Sequence, residues 1–303
     1  MNILNDRVVV VTGAGRGIGR AIALMCAAEG AAVVVNDLGG AGEGGGSDVG
    51  PAVAVTNEII AAGGRAVANT ASVADGAGAE SIVADALAHF GRIDAVVNNA
   101  AILRDRIFHK MSDADWQDIL EVDLTGPYRV SRAAAPHFRE QGSGCFVHFT
   151  SASGLIGNFG QASYSAAKLG VVGLSNSIAL DMERFGVISN AVCPFAWSRL
   201  TSTIPATNDA ERLRVERMQS MSPDKIAPLV VFLCSGAAVG ITGQIFGVRK
   251  NEIFLFSKPR PIRSMHRAEG WTPQSVGEEL IPAFKPSMEG LKRSADVFCW
   301  DPI

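Results

Sequence analysis

Short apolar runs alternate along the chain with longer segments of helical periodicity. Residues 7–12 (RVVVVT) and 32–36 are β-branched runs bounded by glycine, typical of strands buried on both faces of a parallel sheet. Between them, residues 18–29 carry apolar side chains at helical spacing and end at Gly30, where a helix cap is expected. These three segments predict one β-α-β unit.

The same alternation continues as far as residue 192. It predicts helices at 53–62, 79–90, 115–139 and 162–184, and strands at 66–69, 95–98, 145–150 and 187–192. Strict alternation predicts an α/β fold: a doubly wound, mostly parallel Rossmann sheet with helices on both faces. Residues 39–50 hold seven glycines and are expected to be a flexible surface loop after the second strand.

The 303 residues are enough for one large domain with a sizeable core. We predict a catalytic domain over residues 1–247. Six of the thirteen prolines lie in residues 248–303, which we interpret as a C-terminal extension packed on that domain or on a subunit interface.

The charge and the cysteines exclude several classes of protein. A net charge of -3 argues against a nucleic-acid partner. The chain has no apolar run of membrane-spanning length and Met1 to Asp6 lacks signal-peptide features, so we expect a cytoplasmic protein without a membrane partner. The five cysteines are scattered, which predicts neither a disulfide framework nor a metal site.

A glycine pattern follows the first predicted strand and opens the first helix. Gly13, Gly15, Gly17 and Gly19 allow a tight turn and a close approach of the backbone to a pyrophosphate at the helix N-terminus. Asp37 ends the second strand, where an acid can reach the adenosine ribose hydroxyls and repel a 2′-phosphate. The sequence therefore favours NAD over NADP, although Arg16 keeps NADP open.

A second constellation suits acid/base chemistry. Tyr164 and Lys168 lie four residues apart, on one face of a predicted helix, and an ammonium beside a phenol lowers the phenol pKa toward neutrality. Ser151 ends a strand at the carboxyl edge of the sheet and can orient a substrate oxygen. Asn98 and Asn99 end another strand, where their amides either hold loop backbone near the nicotinamide or only cap a turn.

These features together resemble the short-chain dehydrogenase/reductase family over residues 5 to about 247, through TGAGRGIG, NNA, the Ser151–Tyr164–Lys168 set and Pro194. The resemblance implies that Tyr164 is the acid/base, that Lys168 holds the nicotinamide ribose and that Ser151 steadies the reacting oxygen. The glycine loop and the resemblance together give the expected cofactor contacts: Gly13, Gly15, Arg16, Gly17, Ile18, Gly19, Asp37, Ser72, Val73, Asn99, Val122, Tyr164, Lys168, Pro194 and Thr201.

The chain departs from the family pattern at three positions. Ala101 stands where NNAG has its glycine, and Ser72 precedes Val73 where an Asp-Val pair commonly meets adenine. Asp123 stands where the family has a catalytic Asn. Asp123 is expected either to support the same water relay as a fourth catalytic residue or to position its helix.

Longer stretches at residues 35–40, 102–106, 151–154 and 157–162 are similar to the (3R)-hydroxyacyl-CoA dehydrogenase domains of peroxisomal multifunctional enzymes type 2, also known as 17β-hydroxysteroid dehydrogenases. This likeness implies NAD-dependent interconversion of a 3-hydroxyacyl-CoA and a 3-oxoacyl-CoA, in lipid or steroid side-chain catabolism, by a homodimer or homotetramer. A basic group in the extension either meets CoA phosphates or is a solvated face: Lys258, Arg260, Arg263, His266 and Arg267.

Two other functions stay open at this point. One is a hydroxysteroid or other secondary-alcohol dehydrogenase that does not require CoA, because the fold does not fix the substrate. The other is a dinucleotide-sensing protein without catalysis. The presence of Ser151, Tyr164 and Lys168 disfavours the sensing protein.

Overall fold

The computed structural model describes residues 2–197, 208, 212–213, 215–216 and 219–303. Its strands are β1 (Val8–Thr12), β2 (Ala32–Asn36), β3 (Arg65–Asn69), β4 (Ala95–Asn98), β5 (Gly144–Phe149), β6 (Val187–Phe195), β7 (Ile245–Arg249) and β8 (Glu252–Leu255). They form one eight-stranded sheet in the order β3-β2-β1-β4-β5-β6-β7-β8. Neighbours from β3 to β7 pair in parallel, and β8 pairs antiparallel with β7. The predicted doubly wound, mostly parallel α/β sheet is confirmed.

Helices precede or follow each of the parallel strands. They are α1 (Gly17–Ala28), α2 (Gly50–Ala61), α3 (Gly76–Phe90), α4 (Asp113–Leu120), α5 (Gly126–Gln141), α6 (Ala152–Leu155), α7 (Ala162–Met182), α8 (Ala227–Leu233), α9 (Pro273–Ser275), α10 (Ile281–Phe284) and α11 (Ser294–Val297). A π-helical turn, Glu121–Thr125, joins α4 to α5. The single helix predicted over residues 115–139 is therefore interrupted at its centre.

Alternate residues of the central strands enter two separate hydrophobic clusters, one on each face of the sheet. In β1, Val9 and Val11 pack in the cluster that contains Ile22 of α1 and Val230 of α8. Val8 and Val10 of β1 pack in the cluster that contains Phe138 of α5. Burial on both faces explains why these strands are continuous apolar runs rather than alternating ones.

The strand order reverses between β1 and β4, because the chain adds β2 and β3 on one side of β1 and the later strands on the other. The loops that follow β1 and β4 consequently diverge and leave a crevice at the carboxyl ends of the strands. Ligands bind at such switch points in open α/β sheets. Thr12, Asn98 and Ser151 all lie at this edge.

The sheet continues beyond the last predicted strand. β7 contains the buried Gly247 in its interior, and β8 has no buried residue, since Glu252 and Phe254 are half-buried and Ile253 and Leu255 are exposed. Neither strand is a long apolar run, so the pattern at residues 245–255 gave no strand prediction. The catalytic-domain boundary at residue 247 stays a prediction, and Gly247 itself lies inside β7.

Candidate active site

A cavity of about 740 Å³ opens at the carboxyl ends of β1, β2, β4, β5 and β6. It brings together most of the residues predicted to bind the cofactor or to catalyse: Gly13, Arg16, Gly17, Ile18, Asp37, Ser72, Val73, Asn99, Val122, Ser151, Tyr164, Lys168 and Pro194. Gly15, Gly19 and Asp123 are buried and are not among its lining residues. Thr201 lies outside the described residues.

The loop after β1 has the shape of a dinucleotide cradle. Gly17 has a φ of +54°, and a Cβ built there would meet no atom within 4 Å, so the backbone is open to the cavity. A Cβ on Gly19 would lie 2.2 Å from the carbonyl oxygen of Gly13, which makes side chains incompatible with this turn. The N-terminus of α1 faces the cavity beside it, and these features fit a pyrophosphate.

Two polar side chains hold this loop against the end of β4. Thr12 Oγ1 accepts hydrogen bonds from the backbone N–H groups of Asn99 and Ala100, each at 3.1 Å. Asn99 Nδ2 donates to the carbonyl oxygens of Thr12 at 3.0 Å and of Gly13 at 3.1 Å. Asn99 therefore holds loop backbone, which is one of the two roles that the sequence predicted for it.

The carboxylate of Asp37 is fixed at the other side of the glycine loop. Its Oδ2 accepts from the Gly15 N–H and its Oδ1 from the Gly39 N–H, both at 2.7 Å. Each carboxylate oxygen has further acceptor capacity toward the cavity. This arrangement fits the ribose hydroxyls of an adenosine.

The segment after β3 shapes the part of the cavity where the sequence predicts contacts with adenine. Ser72 Oγ accepts from the Ala74 N–H at 3.2 Å, which orders the turn. Val73 is buried, and a Cβ on Gly126 of α5 would lie 2.9 Å from its Cγ2. Backbone and apolar surface, rather than a carboxylate, thus line this end.

The predicted catalytic residues meet at the opposite end of the cavity. Ser151 is the N-cap of α6, and its Oγ accepts from the Ser153 N–H at 3.1 Å. Tyr164 lines the cavity together with Ser151, and Lys168 Nζ lies 5.5 Å from the centre of the Tyr164 ring. The hydroxyl, the phenol and the amine are therefore grouped as the sequence predicted.

Asp123 forms an ion pair with Lys168, one of these three residues. Its Oδ2 lies 3.2 Å from Lys168 Nζ, and the two side chains are 0% and 3% exposed. Its Oδ1 accepts from the Ile102 N–H at 2.9 Å. Burial raises the pKa of Asp123, and the Lys168 ammonium opposes that rise. Asp123 is thus the ionic partner of Lys168, a relationship that the sequence alternatives did not include.

The ion pair changes the expected electrostatics of Tyr164. Burial and then the Asp123 carboxylate raise the Tyr164 pKa, whereas the hydrogen bond with Ser151 lowers it. Lys168 is not among the groups that shift the Tyr164 pKa, and its ammonium is paired with Asp123. An oxidised nicotinamide beside the phenol would add the positive charge that favours the phenolate.

The glycine-rich loop, expected to be a surface insertion, lines the cavity with Gly40, Ala41, Gly42, Gly44 and Gly45. It is tied to the segment after β4: Leu103 N–H donates to the Gly42 carbonyl at 2.9 Å, and Arg104 Nε donates to the Glu43 carbonyl at 2.7 Å. Arg104 also pairs with Asp118 of α4 at 2.6 Å. The seven glycines among residues 39–50, shortly after Asp37, were the sequence signal from which this role in lining the cavity could have been predicted.

A polar network that the sequence did not predict includes Ser153, two residues after Ser151. Gln161 Nε2 donates to the Asp105 carboxylate at 3.1 Å, and its Oε1 accepts from Ser153 Oγ at 2.6 Å. Asn158 Nδ2 donates to the same Ser153 oxygen at 2.9 Å. All four side chains line the cavity.

The basic group of the extension lies elsewhere. None of its five members is among the lining residues that the structure describes. Arg267 forms an ion pair with Glu279, and Arg263 donates to Ser287 Oγ at 3.2 Å. These contacts are within the extension and give no support to a CoA-phosphate site.

No helix in the described part of the chain has the length and apolar character needed to cross a membrane. No group of three or more His, Cys, Asp or Glu side chains is arranged there to hold a metal ion.

The short chain dehydrogenase family model matches residues 7–209. A short-chain type dehydrogenase/reductase of Mycobacterium tuberculosis is 51% identical over 271 residues, covering 86% of this chain and 92% of that protein. A hydroxyacyl-CoA dehydrogenase of the same organism is 37% identical over 296 residues, covering 93% and 89%.

The mouse peroxisomal multifunctional enzyme type 2 is 48% identical over 230 residues, which are 76% of this chain but 30% of that enzyme. The predicted likeness to that group is confirmed. The crystal structure of a short chain dehydrogenase from Mycobacterium avium superposes with a TM-score of 0.82 at 35% identity, covering 96% of this chain and 98% of that one. The chain belongs to the short-chain dehydrogenase family, oxidoreductases that act on CH–OH groups with nicotinamide dinucleotide cofactors.

Proposed function

We propose that the protein is an NAD-dependent dehydrogenase that interconverts a 3-hydroxyacyl-CoA and a 3-oxoacyl-CoA. The observation that carries this proposal is the joint lining of one cavity by Asp37 at one end and by Ser151, Tyr164 and Lys168 at the other. A non-catalytic dinucleotide sensor has no need of the three grouped side chains at the second end.

The choice of NAD rests on Asp37. Two backbone N–H groups hold its carboxylate, so it cannot rotate away from a 2′-phosphate without losing both bonds. A fixed negative charge at this position favours a ribose with free hydroxyls. Arg16 lines the same cavity, but it does not remove the repulsion from Asp37.

The protein residues orient the alcohol and move its proton. When bound, the oxidised nicotinamide supplies the acceptor for the hydride from the carbinol carbon. Ser151 Oγ and the Tyr164 hydroxyl hydrogen-bond the reacting oxygen, and the Tyr164 phenolate takes the hydroxyl proton. Lys168 lies against the Tyr164 ring and is positioned to bind ribose hydroxyls. Reduction of the ketone reverses these transfers.

The substrate class rests on similarity and on the substrate side of the cavity. A relative named for hydroxyacyl-CoA dehydrogenase activity matches over 93% of this chain. The match spans only 30% of the multifunctional enzyme, so we propose the dehydrogenase step alone. The polar network of Asp105, Gln161, Ser153 and Asn158 offers donors and acceptors beside Tyr164 for a thioester or amide group.

The test is NADH formation with a chain-length series of (3R)-hydroxyacyl-CoA esters, run beside a 17β-hydroxysteroid and repeated with NADP. We expect turnover of the CoA esters with NAD. Turnover of the steroid alone would replace the CoA assignment with a hydroxysteroid dehydrogenase. Dinucleotide binding without turnover of any alcohol would contradict the catalytic proposal.

We also propose a cytoplasmic homodimer or homotetramer. The exposed apolar residues Leu169 and Leu180 on α7 support self-association. Light scattering on the purified protein measures its mass in solution, and cell fractionation measures its location.

A further inference from the structure

The end of the chain returns to the active-site cavity. Ser294, at the start of α11, donates from its backbone N–H to the Gly157 carbonyl at 3.0 Å and from Oγ to the same oxygen at 3.3 Å. Gly157 lies in the loop between the helices that carry Ser151 and Tyr164. Ser294 and Ala295 line the cavity, about 50 residues after the last parallel strand.

A cluster of aromatic rings, here called the aromatic anchor, holds this segment on its C-terminal side. Phe298 lies 4.6 Å from Phe195, 5.4 Å from Phe254 and 6.2 Å from Phe256, all between ring centres and all edge-on. Trp300 lies 5.6 Å from Phe298. Such edge-to-face pairs have a preferred geometry, so the anchor fixes the segment in position. Phe195 itself lines the cavity.

Polar contacts extend the anchor to the edge of the sheet. Trp300 Nε1 donates to Glu252 Oε1 at 2.8 Å. The Arg249 guanidinium lies 5.3 Å from the centre of the Trp300 ring, and the same side chain donates to the Trp300 carbonyl. The Asn251 N–H donates to the Ile303 carbonyl at 2.9 Å. The chain end is therefore bonded to β7, β8 and the turn between them.

The N-terminal side of the segment is held independently. The Arg293 guanidinium lies 5.7 Å from the centre of the Phe159 ring, in the same loop as Gly157. Arg293 also pairs with Asp296 at 2.7 Å, and its N–H donates to that carboxylate at 2.8 Å. Ser294 and Ala295 lie between these two attachments and cannot move away from the cavity unless one of them breaks.

We propose that residues 293–300 form a wall of the substrate half of the cavity and that Ala295 determines which substrates fit. The Ser294 hydroxyl is engaged by the Gly157 carbonyl, which leaves the apolar Ala295 as the other residue through which this wall lines the cavity. An apolar surface in the cavity that Ser151 and Tyr164 also line suits the hydrocarbon part of a substrate. The proposal deepens the proposed function, because it assigns the acyl or ring portion of that substrate to this wall.

The main variant is Ala295→Phe, which fills the space in front of the wall. We expect kcat/KM for (3R)-hydroxyhexadecanoyl-CoA to fall about tenfold or more, mainly through KM, and that for (3R)-hydroxybutyryl-CoA to change less than about threefold. The matched control is Leu291→Phe, a fully exposed position two residues before this segment that does not line the cavity. It should leave both values unchanged. NADH binding, followed by its fluorescence, should be the same in all three proteins.

A second variant, Phe298→Ala, weakens the anchor without touching the cavity. We expect it to reduce the ratio of long-chain to short-chain kcat/KM, while circular dichroism shows an intact fold. An active parent enzyme whose long-chain to short-chain ratio is unchanged in Ala295→Phe overturns the wall proposal alone. A parent enzyme that turns over neither ester overturns the proposed function, and the acyl role of the wall with it.

Discussion

The carboxylate of Asp123 lies 3.2 Å from the ammonium of Lys168, and both side chains are buried beneath Tyr164. Removing a paired charge from water is unfavourable unless hydrogen bonds satisfy both groups, and the Ile102 N–H supplies one of them. The pair therefore links the acidity of the proposed acid/base, Tyr164, to a residue that does not line the cavity.

The first prediction concerns the pH dependence of alcohol oxidation. Asp123 raises the Tyr164 pKa, so Asp123→Asn removes that cause and leaves the Lys168 charge free to favour the phenolate. Oxidation requires deprotonated Tyr164, and the acidic limb of the kcat profile should move to lower pH by about one unit. Asn retains an acceptor for the Ile102 N–H. A profile that is unchanged or moves to higher pH contradicts this assignment.

The second prediction separates catalysis from cofactor binding. Tyr164→Phe removes the acid/base hydroxyl and keeps the ring, so turnover should fall by about a hundred- to ten-thousand-fold. NADH affinity should change little. The chain contains one other tyrosine, the exposed Tyr128, and Tyr128→Phe is the matched control with full turnover expected. Substantial activity in Tyr164→Phe would exclude it as the acid/base.

The third prediction concerns cofactor choice. Asp37→Ser removes the fixed carboxylate, so kcat/KM with NAD should fall about tenfold and kcat/KM with NADP should rise by a similar factor. The control is Asp48→Ser, since Asp48 also accepts a backbone hydrogen bond, from Gly50 at 2.9 Å, but does not line the cavity. If Asp37→Ser retains the parent preference for NAD, another group selects the cofactor.

The fourth prediction uses the buried His148 of β5. Burial lowers the pKa of His148 to about 3. At a pH between that value and the ordinary pKa of histidine, the unfolded chain therefore binds a proton that the folded protein excludes. Stability should fall as the pH decreases below about 6.5, by up to about 1.4 kcal/mol per pH unit from this group.

Denaturant unfolding of the parent and of His148→Gln at about pH 7.5 and about pH 5.5 measures the effect. The free energy of unfolding should depend less steeply on pH in His148→Gln. The exposed His89 provides the control, because His89→Gln should keep the slope of the parent. Equal slopes in all three proteins contradict a neutral buried His148.

Local sequence patterns were sufficient to predict the central strands of the sheet and the grouping of the candidate site residues at its carboxyl edge. Strands such as β1 are apolar on both faces, and Asp37, Ser151 and Tyr164 follow from fixed offsets after strands and along one helix. Parallel strands bring their carboxyl ends together, so positions far apart in sequence could be placed in one crevice.

The parts that were missed depend on contacts between distant segments. The Asp123–Lys168 pair requires the packing of the π-helical turn against α7. The contribution of the glycine-rich loop depends on Arg104, and that of Ala295 on aromatic contacts at the far edge of the sheet. Neither periodicity nor spacing within one element carries information of this kind.

The π-helical turn at Glu121–Thr125 also constrains how this site can change by insertion or deletion. Val122 lines the cavity, and the adjacent Asp123 contacts Lys168. In a regular α-helix, successive side chains point about 100° apart. A turn of this kind accommodates one additional residue within a helix. Loss of one residue here would convert the turn to regular α-helix and change the directions in which Val122 and Asp123 point, so a deletion at this position would disturb the cavity and the Asp123–Lys168 pair together.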